Sequence, residues 1–166
     1  MAGCYRTLAL RPISQGEETA KLYHHFAERT RHMASLVTEP GFADVAVARA
    51  HFAQRLQLET DCSDVHESMK QGADFILIDV RGPTLFAAGY IPGAINIPHR
   101  AITAERMAEY PQDTLCVVYC AGPHCNGANK AAIRLTGLGY RVKEMIGGIT
   151  GWRDEGFSLE STDVAA

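Results

Sequence analysis

A chain of 166 residues, 46% hydrophobic and 21% charged, has room for one compact domain plus an appendage, in the composition of an ordinary globular protein. Its net charge of −3 is spread over both signs with no long basic block, which argues against nucleic-acid binding by phosphate neutralisation. No stretch approaches the roughly 18 continuous apolar residues of a membrane span. Met1 to Gly16 carries no apolar run of signal-peptide length, so a cytoplasmic, reducing compartment is the expectation. The cysteines suit that setting: Cys4, Cys62, Cys116, Cys120 and Cys125 are odd in number and clustered late, unlike a secreted disulfide framework.

Along the chain, Ser14 and Glu17 have capping-box spacing at the head of a helical run over residues 15–37, with Leu22, Phe26, Met33 and Leu36 as a partial apolar stripe. Pro40-Gly41 breaks it, and a second helix is expected over 43–56, with Val45, Ala48, Phe52 and Leu56 on one face. Such stripes must bury on the main domain or on a second copy. His24, His25 and His32 read as a solvated face rather than a ligand set. From Leu58 the character changes: a short segment leads to a helix over 64–71, with Ser63 as N-cap and Gly72 as stop signal. Apolar or β-branched runs then follow at Phe75–Val80, Ala94–Ile97, Leu115–Tyr119 and Val142–Ile146, separated by helical segments over 102–110 and 126–138. Continuous apolar strands alternating with helices predict an α/β fold, a parallel β-sheet flanked by helices. The expected organisation is an N-terminal helical extension over 1–57, a main domain over 58–158 and a tail over 159–166.

Ligands gather at the carboxyl ends of such strands. There the run Leu115–Tyr119 ends in Cys120, followed by Ala121, Gly122, Pro123, His124, Cys125, Asn126 and Gly127, and then a helix. A cysteine between a strand and a helix N-terminus faces unpaired backbone amides and the positive end of the helix dipole. Both favour its thiolate, the reactive form. The competing reading is a buried, inert strand-end cysteine. Cys116, mid-strand among apolar neighbours, reads as core. A zinc site from Cys116, Cys120, His124 and Cys125 fits poorly, because the spacing lacks C-x2-C pairs; no metal is expected.

Four ordered motifs make the chain from about Leu58 to Phe157 resemble a single-domain rhodanese. They are Ile78-Asp-Val-Arg81, Gly89-Tyr-Ile-Pro-Gly-Ala-Ile-Asn-Ile-Pro98, Tyr119-Cys120-Ala-Gly and Gly147-Gly-Ile-Thr-Gly-Trp152. The resemblance implies a rhodanese-like sheet and a thiosulfate sulfurtransferase-like activity. Cys120 would take sulfane sulfur from thiosulfate or a polysulfide or persulfide donor and pass it to a thiol, a cyanide-type acceptor or an acceptor protein, with no cofactor. It also implies that Asp79 and Arg81, at a strand's carboxyl end, brace the active-site loop, and that Trp152 is core.

The loop departs from the family pattern C-x-x-G-x-R-S. Cys125 stands in the Arg place, Asn126 in the Ser place, and the segment runs about two residues long. Tyr90 replaces a usual His. Rhodanese-fold phosphatases and arsenate reductases need a C-x5-R clamp, and the corresponding residue is Asn126, whose amide lacks the guanidinium's charge. Cys125 is placed either to resolve a Cys120 persulfide as a disulfide or merely to shape the loop. His124 either lends charge to an anionic donor or faces solvent. A non-catalytic rhodanese-like binding or regulatory module stays open as the alternative, as does a homodimer through the N-terminal helices.

Overall fold

The computed structural model describes residues 36–39 and 41–162. The chain divides into two compact units, Met1–Asp44 and Val45–Ala166. In the first, residues 36–38 form a turn; every helix and strand among the described residues belongs to the second. The expected helix over 15–37 and the three histidines on it lie outside the described residues, apart from that turn.

The second unit runs α1 (Val45–Leu58), β1 (Glu59–Thr60), α2 (Cys62–Lys70), β2 (Ile76–Asp79), α3 (Pro83–Ala88), β3 (Ile95–Asn96), a 3-10 turn (His99–Ala101), α4 (Ala104–Met107), β4 (Leu115–Tyr119), α5 (Gly127–Gly137), β5 (Arg141–Met145) and α6 (Gly148–Asp154). The strands form one parallel five-stranded sheet in the order β1-β5-β4-β2-β3. Parallel pairs need crossovers, and the intervening helices supply them. Side chains alternate along the strands and so build two cores. Ile78, Cys116 and Val118 pack with Ala131 and Leu135 of α5, whereas Leu77, Val117 and Tyr119 pack with Val65 of α2 and Ile149 and Trp152 of α6. Among the described residues, no helix is long and apolar enough to cross a membrane.

The expected parallel α/β sheet is present, with all four expected strands. Cys116 and Trp152 are core, at 0% and 2% exposure, and Trp152 Nε1 donates to Ser158 O. Other expectations need correction. β1 is an additional edge strand of two polar residues, held by pairing Glu59 with Glu144 and Thr60 with Met145 rather than by any apolar run. The helix expected over 102–110 shrinks to the 3-10 turn and α4, which Thr103 caps by accepting from Arg106 N. The N-cap of α2 is Asp61, not Ser63: Asp61 Oδ1 accepts from Asp64 N at 2.8 Å, while Ser63 Oγ donates to Glu155. Nor does the stripe of α1 bury on the domain. Val45, Phe52 and Leu56 are 82%, 59% and 73% exposed, because the polar attachments of the helix to the sheet are concentrated in its last turn. There Lys143 Nζ donates to Leu56 O at 2.8 Å, and Arg55 pairs with Glu59.

Candidate active site

The central strand β4 ends at Tyr119, flanked by β2 and β5, so Cys120 emerges at the middle of the sheet's carboxyl edge. Residues 121–126 form the loop that reaches α5. Its backbone is held from within and by one neighbour. Cys125 N donates to Gly122 O at 2.9 Å, and the first turn of α6 donates to the loop's start, Ile149 N to Cys120 O and Thr150 N to Ala121 O. Thr150 Oγ1 adds a bond to Ala121 O at 2.5 Å. This approach requires Gly148: its φ is +58°, and a Cβ there would stand 2.4 Å from Cys120 O.

Cys120 is 7% exposed and joined to Cys125 in a disulfide, with Cα atoms 6.3 Å apart. Both sulfurs sit over Gly127, the first residue of α5. A Cβ at that position would lie 2.7 Å from Cys120 Sγ and 3.3 Å from Cys125 Sγ. Strand end, tight loop and helix start thus bring two thiols to one helix N-terminus, where amides and dipole favour the thiolate. The remaining cysteines of this unit are shielded. Cys62 and Cys116 are buried free thiols, and burial, before any neighbouring charge, pushes each up to about 11.

Cys120, Gly122, Pro123, His124, Cys125 and Asn126 line a cavity of about 470 Å³, closed on one side by Gly147 and Gly148. Ala121 turns toward the core and contributes its carbonyl, and Gly127 lies buried beneath the sulfurs. The half-buried Cys125 does more than shape the loop in this state, since it is bonded to Cys120. His124 is exposed.

Asp79 and Arg81 do not reach this loop with their side chains, contrary to the expected bracing. They are buried at 0% and 7% exposure and pair with each other, Arg81 Nη2 to Asp79 Oδ2 at 2.6 Å. Arg81 Nη2 also donates to Gly89 O at 2.6 Å, and Asn96 Nδ2 donates to the carbonyls of Asp79 and Arg81. The pair therefore braces the connection between α3 and β3, on the far side of β2 from β4. The pair also meets β4 directly: Asp79 is paired with Tyr119 in the sheet, and the Tyr119 phenol, whose Oη accepts from Ile91 N, lies beside both side chains; burial, then the Asp79 carboxylate, raises it well above its ordinary value.

Three polar cavity residues carried no motif signal. Arg55 comes from α1, Asn129 from the exposed side of α5 and Glu144 from β5. Asn129 Nδ2 donates to Glu144 Oε2. Burial, then the Glu59 carboxylate on the adjoining strand, raises the Glu144 carboxyl above its ordinary value, and the Asn129 bond opposes them. Only the parallel register that sets Glu59 beside Glu144 brings these residues together.

The family model described as Rhodanese-like domain matches residues 61–155. A Mycobacterium tuberculosis protein named HTH-type transcriptional regulator is 32% identical over 145 residues, covering 87% of this chain and 60% of that protein's length. A protein of Allochromatium vinosum named sulfurtransferase is 34% identical over 104 residues, covering 61% of this chain and 92% of its own. Among solved structures, the BH2092 protein of Bacillus halodurans superposes with a TM-score of 0.69 at 38% identity, over 72% of this chain and 88% of that one.

Proposed function

The chain belongs to the rhodanese-like domain family, and from that premise we propose that it is a sulfurtransferase that loads sulfane sulfur on Cys120 and resolves it with Cys125. The observation that carries the reading is the meeting of both sulfurs over Gly127, at the start of α5 and the carboxyl end of the central strand. The similarity to a protein named sulfurtransferase, across nearly that protein's whole length, supports the activity class.

In the reduced protein the Cys120 thiolate attacks the sulfane sulfur of a donor. A bond forms between Cys120 Sγ and that sulfur as the donor's own bond to it breaks: S–S in thiosulfate, a polysulfide or a persulfide, and C–S in mercaptopyruvate, which leaves as pyruvate enolate. Sulfite leaves if the donor is thiosulfate, a thiolate if it is a persulfide. The amides around the loop stabilise the persulfide anion. Two exits follow. A thiol, cyanide-type or protein acceptor takes the outer sulfur and frees the Cys120 thiolate. Alternatively, the Cys125 thiolate attacks Cys120 Sγ; the outer sulfur leaves as hydrosulfide, reduced by two electrons, and the two cysteines become the disulfide. An external dithiol in a reducing, cytoplasmic setting returns the pair to thiols. The route calls on no metal or organic cofactor.

The test is intact mass of the reduced protein after thiosulfate, polysulfide or mercaptopyruvate. Cys125→Ser is expected to gain one sulfur atom, Cys120→Ser none, and the unaltered protein to release sulfide and lose two hydrogens. Absence of any sulfur gain in Cys125→Ser with all three donors sinks the activity.

A second reading, a rhodanese-like regulatory module, has one observation in its favour. The match to the protein named as a transcriptional regulator is long enough that it must include α1 as well as most of the family region. Under that reading Cys120→Ser leaves partner binding intact, and the mass experiment is negative throughout. The exposed stripe of α1 fits a homodimer under either reading.

A further inference from the structure

The cavity over Cys120 is larger and more charged than thiosulfate requires. At about 470 Å³ it falls in the range of sites that bind small organic molecules, whereas thiosulfate is a compact dianion. Its wall presents one cation and one anion from elements outside the catalytic loop. Arg55 gives its Nε and Nη2 to Glu59 Oε2, at 3.0 and 2.8 Å, which leaves the Nη1 amino group uncommitted among the described residues. Glu144 accepts from Asn129 at Oε2, and its Oε1 has no partner among the described residues.

The strand register fixes how these charges stand. Glu59 and Glu144 are directly opposed across the parallel pair β1–β5, at the spacing of neighbouring strands, roughly 5 Å. Arg55 neutralises Glu59 and forms no ion pair with Glu144, which is left as the carboxylate of this cluster without a cation. An amino acid carries its ammonium and carboxylate on a single carbon, so within one cavity it can offer its carboxylate to Arg55 and its ammonium to Glu144. A dianion meets the Glu144 carboxylate unfavourably, and so does an N-acylated thiol that has a carboxylate but no ammonium.

On the reading that Cys120 accepts sulfane sulfur, we propose that its donor is a zwitterionic persulfide of the amino-acid type, its carboxylate held by Arg55 and its ammonium by Glu144. The Cys120 thiolate attacks the outer sulfur of R–S–SH. The new Sγ–S bond forms as the donor's S–S bond breaks, and R–S⁻ leaves as the free amino-acid thiolate, with no net oxidation. Arg55 thereby supplies from α1 a guanidinium that the catalytic loop lacks.

Two measurements separate this pocket from the chemistry. In the first, sulfide release by the reduced protein is followed with cysteine persulfide, N-acetylcysteine persulfide and thiosulfate. Cysteine persulfide is expected to show a KM about tenfold below that of the N-acetyl donor, the scale of one lost charged contact. Glu144→Gln keeps an acceptor for Asn129 and is expected to erase that preference while improving thiosulfate. Arg55→Gln is expected to raise KM for both carboxylate donors, with Arg55→Lys restoring part of the loss and kcat little changed. In the second, binding of S-methylcysteine and N-acetyl-S-methylcysteine to Cys120→Ser is measured by calorimetry. Discrimination between these unreactive ligands without sulfur transfer to the unaltered protein upholds the pocket and removes the activity. Sulfur transfer with equal KM for both persulfides, or a preference that survives Glu144→Gln, overturns the pocket and leaves the activity standing.

Discussion

A methyl group at position 127 would stand closer to Cys120 Sγ than atoms in contact tolerate, so Gly127 is the residue that allows two sulfurs to share a helix start. Ordinarily Gly→Ala at an unstrained helical position stabilises, by about 0.4–1 kcal/mol. At Gly127 the methyl instead displaces the sulfurs. Gly127→Ala is expected to slow sulfide release about a hundredfold, the scale set by misplacing reacting atoms by about 1 Å. The urea midpoint, measured alongside, is expected to move by far less than a core cavity would cost. The other thiols give a residue-scale prediction of opposite kind. Because burial raises Cys62 and Cys116 from 9.0 to about 11, the folded state favours their neutral forms. Their contribution to stability is fully present below pH 9 and is lost as pH rises through about 11. Urea midpoints of the reduced protein are expected to fall across that window, and less steeply in Cys116→Val. At neutral pH, iodoacetamide is expected to label Cys120 and Cys125 well before Cys62 or Cys116.

The elements around the site divide the labour. β4 delivers Cys120, α5 receives it, and the first turn of α6 clamps the loop through Ile149, Thr150 and the glycine at 148. The connection between α3 and β3 is held separately by the buried Asp79–Arg81 pair. Removing one partner of a buried pair leaves an uncompensated charge, at a cost of about 3–5 kcal/mol. Arg81→Met is therefore expected to destabilise on that scale by urea denaturation, although Arg81 does not line the cavity, and the Asp79→Asn, Arg81→Met double variant is expected to recover part of the loss. Sequence patterns read these elements unevenly, for physical reasons. β2, β4 and α5 carry apolar runs or stripes that survive inspection one residue at a time. β1, α3 and α6 span two, six and seven residues, too short for any periodicity to build, and are held by register, a Pro83 start and glycine turns.

For the whole unit, the exposed stripe of α1 is the feature a single copy leaves unresolved. Val45, Phe52 and Leu56 share one face and are each more than half exposed, on a helix with no buried residue. If a second copy covers them, light scattering returns twice the mass of one chain. Phe52→Glu is then expected to halve it without changing the mass gained from a sulfur donor, since Phe52 does not line the Cys120 cavity. A single-chain mass for the unaltered protein removes the dimer.

The parallel sheet, the core roles of Cys116 and Trp152 and the position of Cys120 between a strand and a helix were all written in local patterns: apolar runs, glycine turns and a small-residue loop in chain order. Those patterns are short-range, and so the fold class, the family resemblance and the candidate nucleophile are legible one segment at a time. The partners of that nucleophile depend on register and packing between elements far apart in the chain. Contacts between distant elements gave Arg81 to Asp79 and Gly89, joined Cys125 to Cys120, and set Arg55 of α1 and Glu144 of β5 at one cavity with the sulfurs. No spacing along the chain relates residues 55, 120 and 144; the pairing of β1 with β5 and of β5 with β4 does.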